Sequence, residues 1–468
     1  MFCIVFKIND NKGGRVGLAV GHVATPDCAV VWAPQGGRVV IGSDSAGRSV
    51  AATSSTPWML SHYLKIAVVI EGKWQEIWVH RESLAKRYSD PKDGAVLWKL
   101  HWMGAASLLR TAVLRQSDDC LSDDQICRVF TVVRRAFADS STLGACKVDI
   151  PGSRRFCVVN GQEAYLVLSD TEKDKMLGKG GCATVWAGVS MPEAFEVVAV
   201  KQMRRVKSYS KSTWDGLVGE ASLQMQFRGE SGVAQAMCYV ESEASTDGKP
   251  AELNIVMSRY ANGTVEDFLE NRKAYSLKGR LELLQKALVG LNALHNQGVI
   301  HNDVKRGNFL VNTKLDGSIE VVISDFGFSG KVPRIESGTA KYLAPEKWRK
   351  LQLLAVGRRD VVWTSENGKA DDMWAFGCMC FEVLTQRSLW SGLSEPLVKA
   401  FAEGKINEAA LQQRVDELID ATKTPLLVKQ FLKSLLSVNC DNRFTSAAAA
   451  EALTALLAED SVLEKPSL

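Results

Sequence analysis

Residues 301–308 read HNDVKRGN and run straight into the apolar stretch FLV (309–311). This segment sets Asp303, Lys305 and Asn308 within six positions. It lies between an amphipathic helix-forming stretch, LKGRLELLQKALVGLNALHNQGV (277–299), and a strand-like run. After a short hairpin comes VVISDFGFSG (321–330), which adds a second carboxylate, Asp325. Phosphoryl transfer uses two carboxylates with distinct tasks. One orients the attacking hydroxyl and accepts its proton, worth roughly 10²- to 10⁴-fold in rate. The other belongs to the oxygen ligands of Mg²⁺, an ion that takes few protein ligands and shares its shell with phosphate and water.

The same chemistry is suggested further upstream. MLGKGGCATVWAGV (176–189) places Gly178, Gly180 and Ala183 at G-x-G-x-x-G spacing, with Val185 two positions on. Glycines there let a strand-turn-strand backbone approach phosphate oxygens that a Cβ would hold away. The β-run VVAVK (197–201) ends on Lys201. A lysine closing a buried strand is costly unless its ammonium meets anions. Glu220, in the helical stretch LVGEASLQMQF (217–227), is the candidate carboxylate for it.

GKGGCATV (178–185), VAVK (198–201), HNDVKRGN, DFG (325–327) and APE (344–346) follow one another in an order and at intervals that resemble the protein kinase superfamily. The resemblance covers about 173–460. It implies an α+β, bilobal protein kinase fold, with a small β-rich lobe and a large helical lobe, and ATP and Mg²⁺ as cofactors. Lys201 would grip the α- and β-phosphates with Glu220 as its partner. Asp303 would be the catalytic aspartate, Lys305 would steady the transferred phosphate, and Asn308 and Asp325 would hold the metal. Leu177, Gly178, Gly180, Val185, Ala199, Met257 and Leu310 would line the nucleotide pocket, and the backbone from Ser258 to Tyr260 would bond the base. Asp372, in DDMWAFG (371–377), is similar to the residue that braces the catalytic loop. Glu346 and Arg443 resemble the ion pair that closes the large lobe. Lys305, and Thr339 in SGTAKYLAPE (337–346), have the form found in serine/threonine members, so the expected substrates are proteins with Ser or Thr acceptors. An inactive kinase-fold scaffold and a small-molecule phosphotransferase are the alternatives. Intact Lys201, Asp303, Asn308 and Asp325 disfavour the first, and the GT-x-x-Y-x-APE segment disfavours the second.

Two positions depart from the family pattern. Asn302 stands where members switched by activation-loop phosphorylation carry Arg, and Asn cannot balance a phosphate. The expectation is an enzyme that does not depend on that switch, with Ser329, Ser337 and Thr339 as the sites open to modification. Gln224, four residues after Glu220, stands where an apolar residue is usual.

A chain of 468 residues, 46% hydrophobic and 24% charged, is long enough for two or three globular domains. We expect a mixed α/β N-terminal module of unknown type over 1–168, the kinase domain over 169–460 and a tail over 461–468. In the module, Glu71-Gly72-Lys73 and Asn160-Gly161 mark hairpins. The stretches 94–114 and 122–140 read as helices, the second capped by Ser122. His22, His62, His80 and His101 share no metal-site spacing and read as structural. A net charge of +4 is too small over this length to indicate nucleic acid as a partner. Eleven scattered cysteines, with no C-x-x-C pair, suggest reduced thiols in a cytosol-like compartment. The opening MFCIVFKINDNK has too short an apolar run for a secretory core, and no window reaches the ~18 apolar residues of a membrane span, so a soluble cytoplasmic protein is expected. Beyond Lys201 the basic run to 211 reads as a solvated loop, Cys182 as a residue without a special role, and 445–460 as a closing helix.

Overall fold

Apolar runs such as Phe156–Val159 and Ala164–Val167, buried residue after residue, help build one eight-stranded sheet between Cys146 and Ser258. The computed structural model describes residues 145–459 apart from 162, 170–175, 181–182, 192–195, 207–209, 245–249, 273–274, 315 and 359. Upstream it describes the backbone of six strands and scattered positions between 109 and 136. Cys182 and the side chains of His22, His62, His80 and His101 lie outside the described residues. The chain divides into two compact units, residues 1–204 with 240–256, and residues 205–239 with 257–468.

In the first unit, β1 (Lys7–Asn9) pairs with β2 (Arg15–Gly17), and β3 (Val39–Ser43), β4 (Ser49–Ala52), β5 (Tyr63–Ile70) and β6 (Lys73–His80) form a four-stranded sheet in that order. β5 and β6 pair as the hairpin expected from Glu71-Gly72-Lys73, with Ile70 facing Lys73. The main sheet comprises β7 (Cys146–Asp149), β8 (Phe156–Asn160), β9 (Glu163–Val167), β10 (Met176–Lys179), β11 (Ala183–Met191), β12 (Val197–Arg204), β13 (Ala236–Ser242) and β14 (Glu252–Ser258). Its order is β13-β14-β12-β11-β9-β8-β7, with β10 also on β11. At the β8–β9 turn Asn160 faces Glu163, and Gly161 adopts φ +61°, one residue later than the expected Asn-Gly placement.

Strand β11 joins what the sequence divides. Its first half pairs with β10, and its second half, Gly188 to Met191, pairs with Val167 to Ala164 of β9. The boundary expected between residues 168 and 169 therefore falls inside a continuous sheet. Glycine suits the close packing at 188, where a Cβ would stand 3.1 Å from the Leu166 carbonyl oxygen and 3.0 Å from a Val198 methyl. Behind this part of the sheet, Cys157, Val159, Ala164, Leu166, Ala187, Val189 and Met191 pack into one core with Leu109, Val113, Ile126, Val129 and Val133. The spacing of the last three is that of one helix face. Ser122 starts that helix with reciprocal bonds: its Oγ accepts from Gln125 N (3.2 Å) and its N–H donates to Gln125 Oε1 (2.8 Å).

The second unit is mostly helical. It contains α1 (Lys211–Gln226), α2 (Val265–Glu270), α3 (Leu277–Asn296), the hairpin β15 (Phe309–Thr313) and β16 (Ile319–Ile323), α4 (Pro345–Ala355), α5 (Ser365–Thr385), α6 (Leu389–Leu393), α7 (Glu395–Ala402), α8 (Glu408–Asp420), α9 (Leu426–Leu435) and α10 (Ser446–Ala458). Helix α3 buries Leu281, Leu284, Leu288 and Leu291 on its periodic face. Its Gly290 meets Gly232 so closely that a Cβ on either would collide with the other's backbone. Helix α5 is buried on all sides from Asp371 to Leu384 and forms the centre of this unit's core. Arg443 grips Glu346 through two bonds (2.7 and 3.0 Å). Helix α10 closes the unit, with the Thr445 hydroxyl accepting from Ala448 N. Among the described residues no helix is long and apolar enough to cross a membrane, and the described cysteines are free thiols.

Candidate active site

The stretch 301–308 leaves α3 through the turn at Gly298 and enters β15 at Phe309. Helix α5 fixes its backbone: Asp372 Oδ2 accepts from His301 N (2.7 Å) and Oδ1 from Asn302 N (2.8 Å), while His295 Nε2 adds a 3.0 Å bond to Oδ2. Asp372 is 1% exposed, so these donors stand in for the water it has lost. Asp303 projects from the braced loop. Lys305 Nζ donates to Asp303 Oδ2 (2.6 Å) and to Thr339 Oγ1 (3.1 Å), and Thr339 Oγ1 donates to Asp303 Oδ1 (2.7 Å). Thr339 thus contacts both Asp303 and Lys305. Asn308 Nδ2 donates to Asp303 O (2.8 Å) and Oδ2 (3.0 Å).

The hairpin brings the residue before Asp325 onto Asn308. Phe309 faces Ile323 as the last pair of β15 and β16, and Ser324 continues the register with its N–H (2.8 Å) and hydroxyl (3.0 Å) on the Asn308 carbonyl. Asp325, the next residue, has φ +63°, a left-handed backbone that non-glycine residues hold only when their surroundings fix it. Phe326 is fully buried and lies between two rings, His301 at 6.0 Å and Phe227 at 5.9 Å between centroids. His301 Nδ1 accepts from Asp303 N (3.3 Å) and its Nε2 bonds the Ser324 carbonyl (3.0 Å), which sets the Nε2–H tautomer. Glu220 reaches the same place from α1, since a Cβ on Gly327 would lie 3.4 Å from Glu220 Oε2 and 3.5 Å from Asp325 Oδ1.

Asn302, 2% exposed and at φ +65°, ties the loop to the segment that follows Asp325. Its Nδ2 donates to Phe328 O (2.9 Å) and its Oδ1 accepts from Arg334 N (3.4 Å). Ser329 Oγ donates to His301 O (3.3 Å), Ser337 Oγ donates to Arg334 O (2.7 Å), and both serines are buried. Ile300 and Gly330 exchange backbone bonds of 2.9 and 3.0 Å.

Met257, Tyr260 and Leu310 belong to this unit as well. Asn262 N donates to Val311 O (3.1 Å), Val311 N donates to Gly263 O (2.8 Å), and Thr264 bridges Leu310. Ser258 N donates to Gln235 O (2.9 Å), so that N–H, one of the backbone groups expected to meet a base, is already engaged. In the first unit, Gly178 faces Val185 and Val185 faces Lys201, which sets three expected nucleotide-site residues in one row across β10, β11 and β12. Leu177 forms the bulge beside Gly178, and Ala199, two residues from Lys201, shares its face.

The profile described as "Protein kinase domain" matches residues 171–455, more than half of the chain. The chain belongs to the protein kinase superfamily. Its relatives are of the eukaryotic serine/threonine type. Mitogen-activated protein kinase kinase kinase A of Dictyostelium discoideum is 27% identical over 232 residues, covering 48% of this chain and 22% of that protein. Serine/threonine-protein kinase RAD53 of Saccharomyces cerevisiae is 26% identical over 283 residues, covering 59% and 32%. Serine/threonine-protein kinase PknB of Mycobacterium tuberculosis is 28% identical over 298 residues, covering 60% and 42%. The kinase therefore spans less than half the length of each of these relatives.

Several contacts of the kinase site carry no local sequence signal. Gln224, the departure in α1, is buried and donates Nε2 to Ala234 O (3.1 Å). Lys347, fully buried, donates to Asp371 Oδ2 (2.7 Å), whose Oδ1 accepts from Ala344 N (3.0 Å). Burial pushes the Asp371 carboxyl up to about 6, although the Lys347 ammonium and the Ala344 N–H pull it down. Buried Glu382 accepts from the Tyr342 hydroxyl (2.5 Å) and pairs with Arg306 Nε (3.0 Å) and Lys341 (3.6 Å). These pairs join residues far apart in sequence, and nothing in the spacing of either partner announces the other.

Proposed function

We propose that this kinase transfers the γ-phosphoryl group of ATP to Ser or Thr hydroxyls of proteins, and that its activation segment is ordered without phosphorylation. The observation that carries the catalytic reading is the closed set of bonds among Asp303, Lys305 and Thr339 on a loop braced by Asp372. Bound ATP and Mg²⁺ would supply the electrophilic phosphorus and the charge neutralisation around it. Asp303 would receive the acceptor's hydroxyl proton as the oxygen bonds to phosphorus, and Lys305 would place its ammonium against the oxygens of the moving group.

The donor sets fit such ligands. Asn308 commits its amide nitrogen to Asp303, which leaves its amide oxygen to join the Asp325 carboxylate as hard ligands of the type Mg²⁺ takes. A Cβ on Gly178 would meet nothing within 4 Å, so the protein's own packing does not demand glycine there. A closely approaching phosphate would. Lys201, in register with Val185, would supply the ammonium for the phosphates and Glu220 the carboxylate that steadies it. The second part of the proposal rests on Asn302, Ser329 and Ser337, whose side chains already hold the segment.

The test uses purified full-length protein, radiolabelled ATP, Mg²⁺ and generic protein substrates. Label on Ser and Thr with wild type, none on Tyr, and a loss of at least ~10³-fold for Asp303→Asn are expected. No transfer by wild type, or equal transfer by Asp303→Asn, overturns the catalytic reading. Treatment with a protein phosphatase should leave the rate unchanged, and loss of activity after it would refute ordering without phosphorylation.

A further inference from the structure

The row of Gly178, Val185 and Lys201 crosses β10, β11 and β12, and strand alternation sends the neighbours Trp186 and Gln202 to the opposite face. There Trp186 Nε1 donates to Gln202 Oε1 (3.2 Å), and Gln202 Nε2 donates to Glu252 Oε2 of β14 (3.4 Å). The Glu252 side chain is 9% exposed and has two cationic partners: Lys147 Nζ at 2.6 Å, 15% exposed, and Arg204 Nε at 2.9 Å, 63% exposed. Solvent screens the exposed Arg204, so the ammonium of Lys147 is the main compensation for burying this carboxylate. That ammonium also stands 4.4 Å from the centre of the Phe156 ring and 3.6 Å from Asp149, a half-exposed carboxylate. Asn254, two residues beyond Glu252 on the same face of β14, is fully buried, and its amide has no hydrogen-bond partner among the described residues. This face of the sheet is polar yet closed off from water.

Strands β7 and β14 are separated in the hydrogen-bonded order by β12, β11, β9 and β8, so the bond between Lys147 and Glu252 requires the sheet to curl until β7 lies over this face. Lys147 precedes the family match, which begins at residue 171, whereas Gln202 and Glu252 lie within it. The kinase sheet therefore carries a buried charge whose main counterion comes from outside the kinase match.

We infer that Lys147 is a positioning residue for the nucleotide site: by holding Glu252 from β7 it fixes Gln202 and Trp186 on one face of β12 and β11, and with them Lys201 and Val185 on the other. Strands β7 to β9 thereby set the affinity for ATP from outside the motifs. The inference rests on the proposed role of Lys201 and Val185 in binding ATP, whereas the contact between Lys147 and Glu252 stands apart from it.

Lys147→Met and Lys147→Arg in the full-length chain test this by ATP titration, steady-state kinetics and hydrogen exchange. In Lys147→Met the Kd and KM for ATP should rise about tenfold while KM for the protein substrate stays within about twofold of wild type, a split that a mere loss of folded protein would not produce. Exchange at the amides of β11 and β12 should rise about tenfold, with those of α3 unchanged. Lys147→Arg keeps the cation and should stay within about twofold of wild type in each measurement. Unchanged ATP affinity and exchange in Lys147→Met, an equal rise in KM for ATP and for protein, or a Lys147→Arg as impaired as Lys147→Met overturns the inference. If Lys147→Met does not fold, Lys147→Gln is measured by the same criteria. If wild type neither binds ATP nor transfers phosphate, the proposed function fails, while exchange still decides whether Lys147 holds β11 and β12.

Discussion

Replacing Asn302 by glycine and by alanine separates two contributions that this residue makes. Glycine accepts φ +65° without strain but has no carboxamide, so the half-buried bond to the Phe328 carbonyl (2.9 Å) is lost, and Arg334 N loses a longer contact of 3.4 Å. An intramolecular hydrogen bond of this kind contributes about 0.5–1.5 kcal/mol, and the long bond adds little. Alanine suffers the same loss and also places a Cβ in the left-handed region, which costs about 1 kcal/mol more after allowing for the greater freedom of glycine in the unfolded chain. The expected order of stability of the segment is wild type, then glycine, then alanine, with openings of 328–334 favoured by about 0.5–1.5 and 1.5–2.5 kcal/mol. Hydrogen exchange at those amides in the full-length protein measures both steps. The segment should open while α3 and α5 keep their protection. If both variants lie within ~0.5 kcal/mol of wild type, the carboxamide does not hold the segment and the account of ordering without phosphorylation loses its basis.

The hydroxyl groups of the segment divide by what they touch. Ser329→Ala and Ser337→Ala remove bonds to main-chain carbonyls, so steady-state assays should find kcat within about threefold of wild type. Thr339→Ala removes the group between Asp303 and Lys305 and should lower kcat about 10²-fold. An acidic replacement rescuing an inactive Ser329→Ala would contradict this division. At the Lys347–Asp371 pair, Lys347→Met alone should cost about 3–5 kcal/mol at pH 7 by leaving a carboxylate buried, and Lys347→Met with Asp371→Leu should recover most of it. A carboxyl raised from ~3.9 to about 6 contributes most below the lower value, and that contribution is lost as pH rises through the upper one. Wild-type stability, measured against the double variant by urea unfolding, should therefore fall by roughly 2–3 kcal/mol between pH 4 and 7. A flat difference would show that the pair does not titrate there.

The catalytic loop was legible because its chemistry is local. Asp303, Lys305 and Asn308 carry their spacing within one loop, and Asp325 follows a hairpin that an apolar alternation announces. Asp372 and the Glu346–Arg443 pair were reached through resemblance, and the expected contacts are present. At Asn302 the sequence showed only a missing cation. The left-handed backbone that favours Asn, and the bonds it makes across to Phe328 and Arg334, depend on a fold that brings those residues close. Gln224 looked anomalous for the same reason, since its partner, the Ala234 carbonyl, leaves no mark in the sequence. The family match, residues 171–455, lies within the expected bounds of 169–460, and the sheet runs on past that edge. Patterns end at residue 168 because the recognisable motifs begin soon after, whereas main-chain pairing is indifferent to motif and continues back to Cys146.

That continuity bears on how the enzyme could be shortened. A chain beginning at residue 169 would strip β9 from β11, leaving the main chain of Gly188 to Met191 without its ladder and uncovering Ala187, Val189 and Met191, which are now at most 3% exposed. An unprotected strand edge beside an apolar face recruits strands from other molecules. Such a chain would retain every motif that identifies the kinase and still self-associate, whereas one beginning ahead of Leu109 would keep the seam closed.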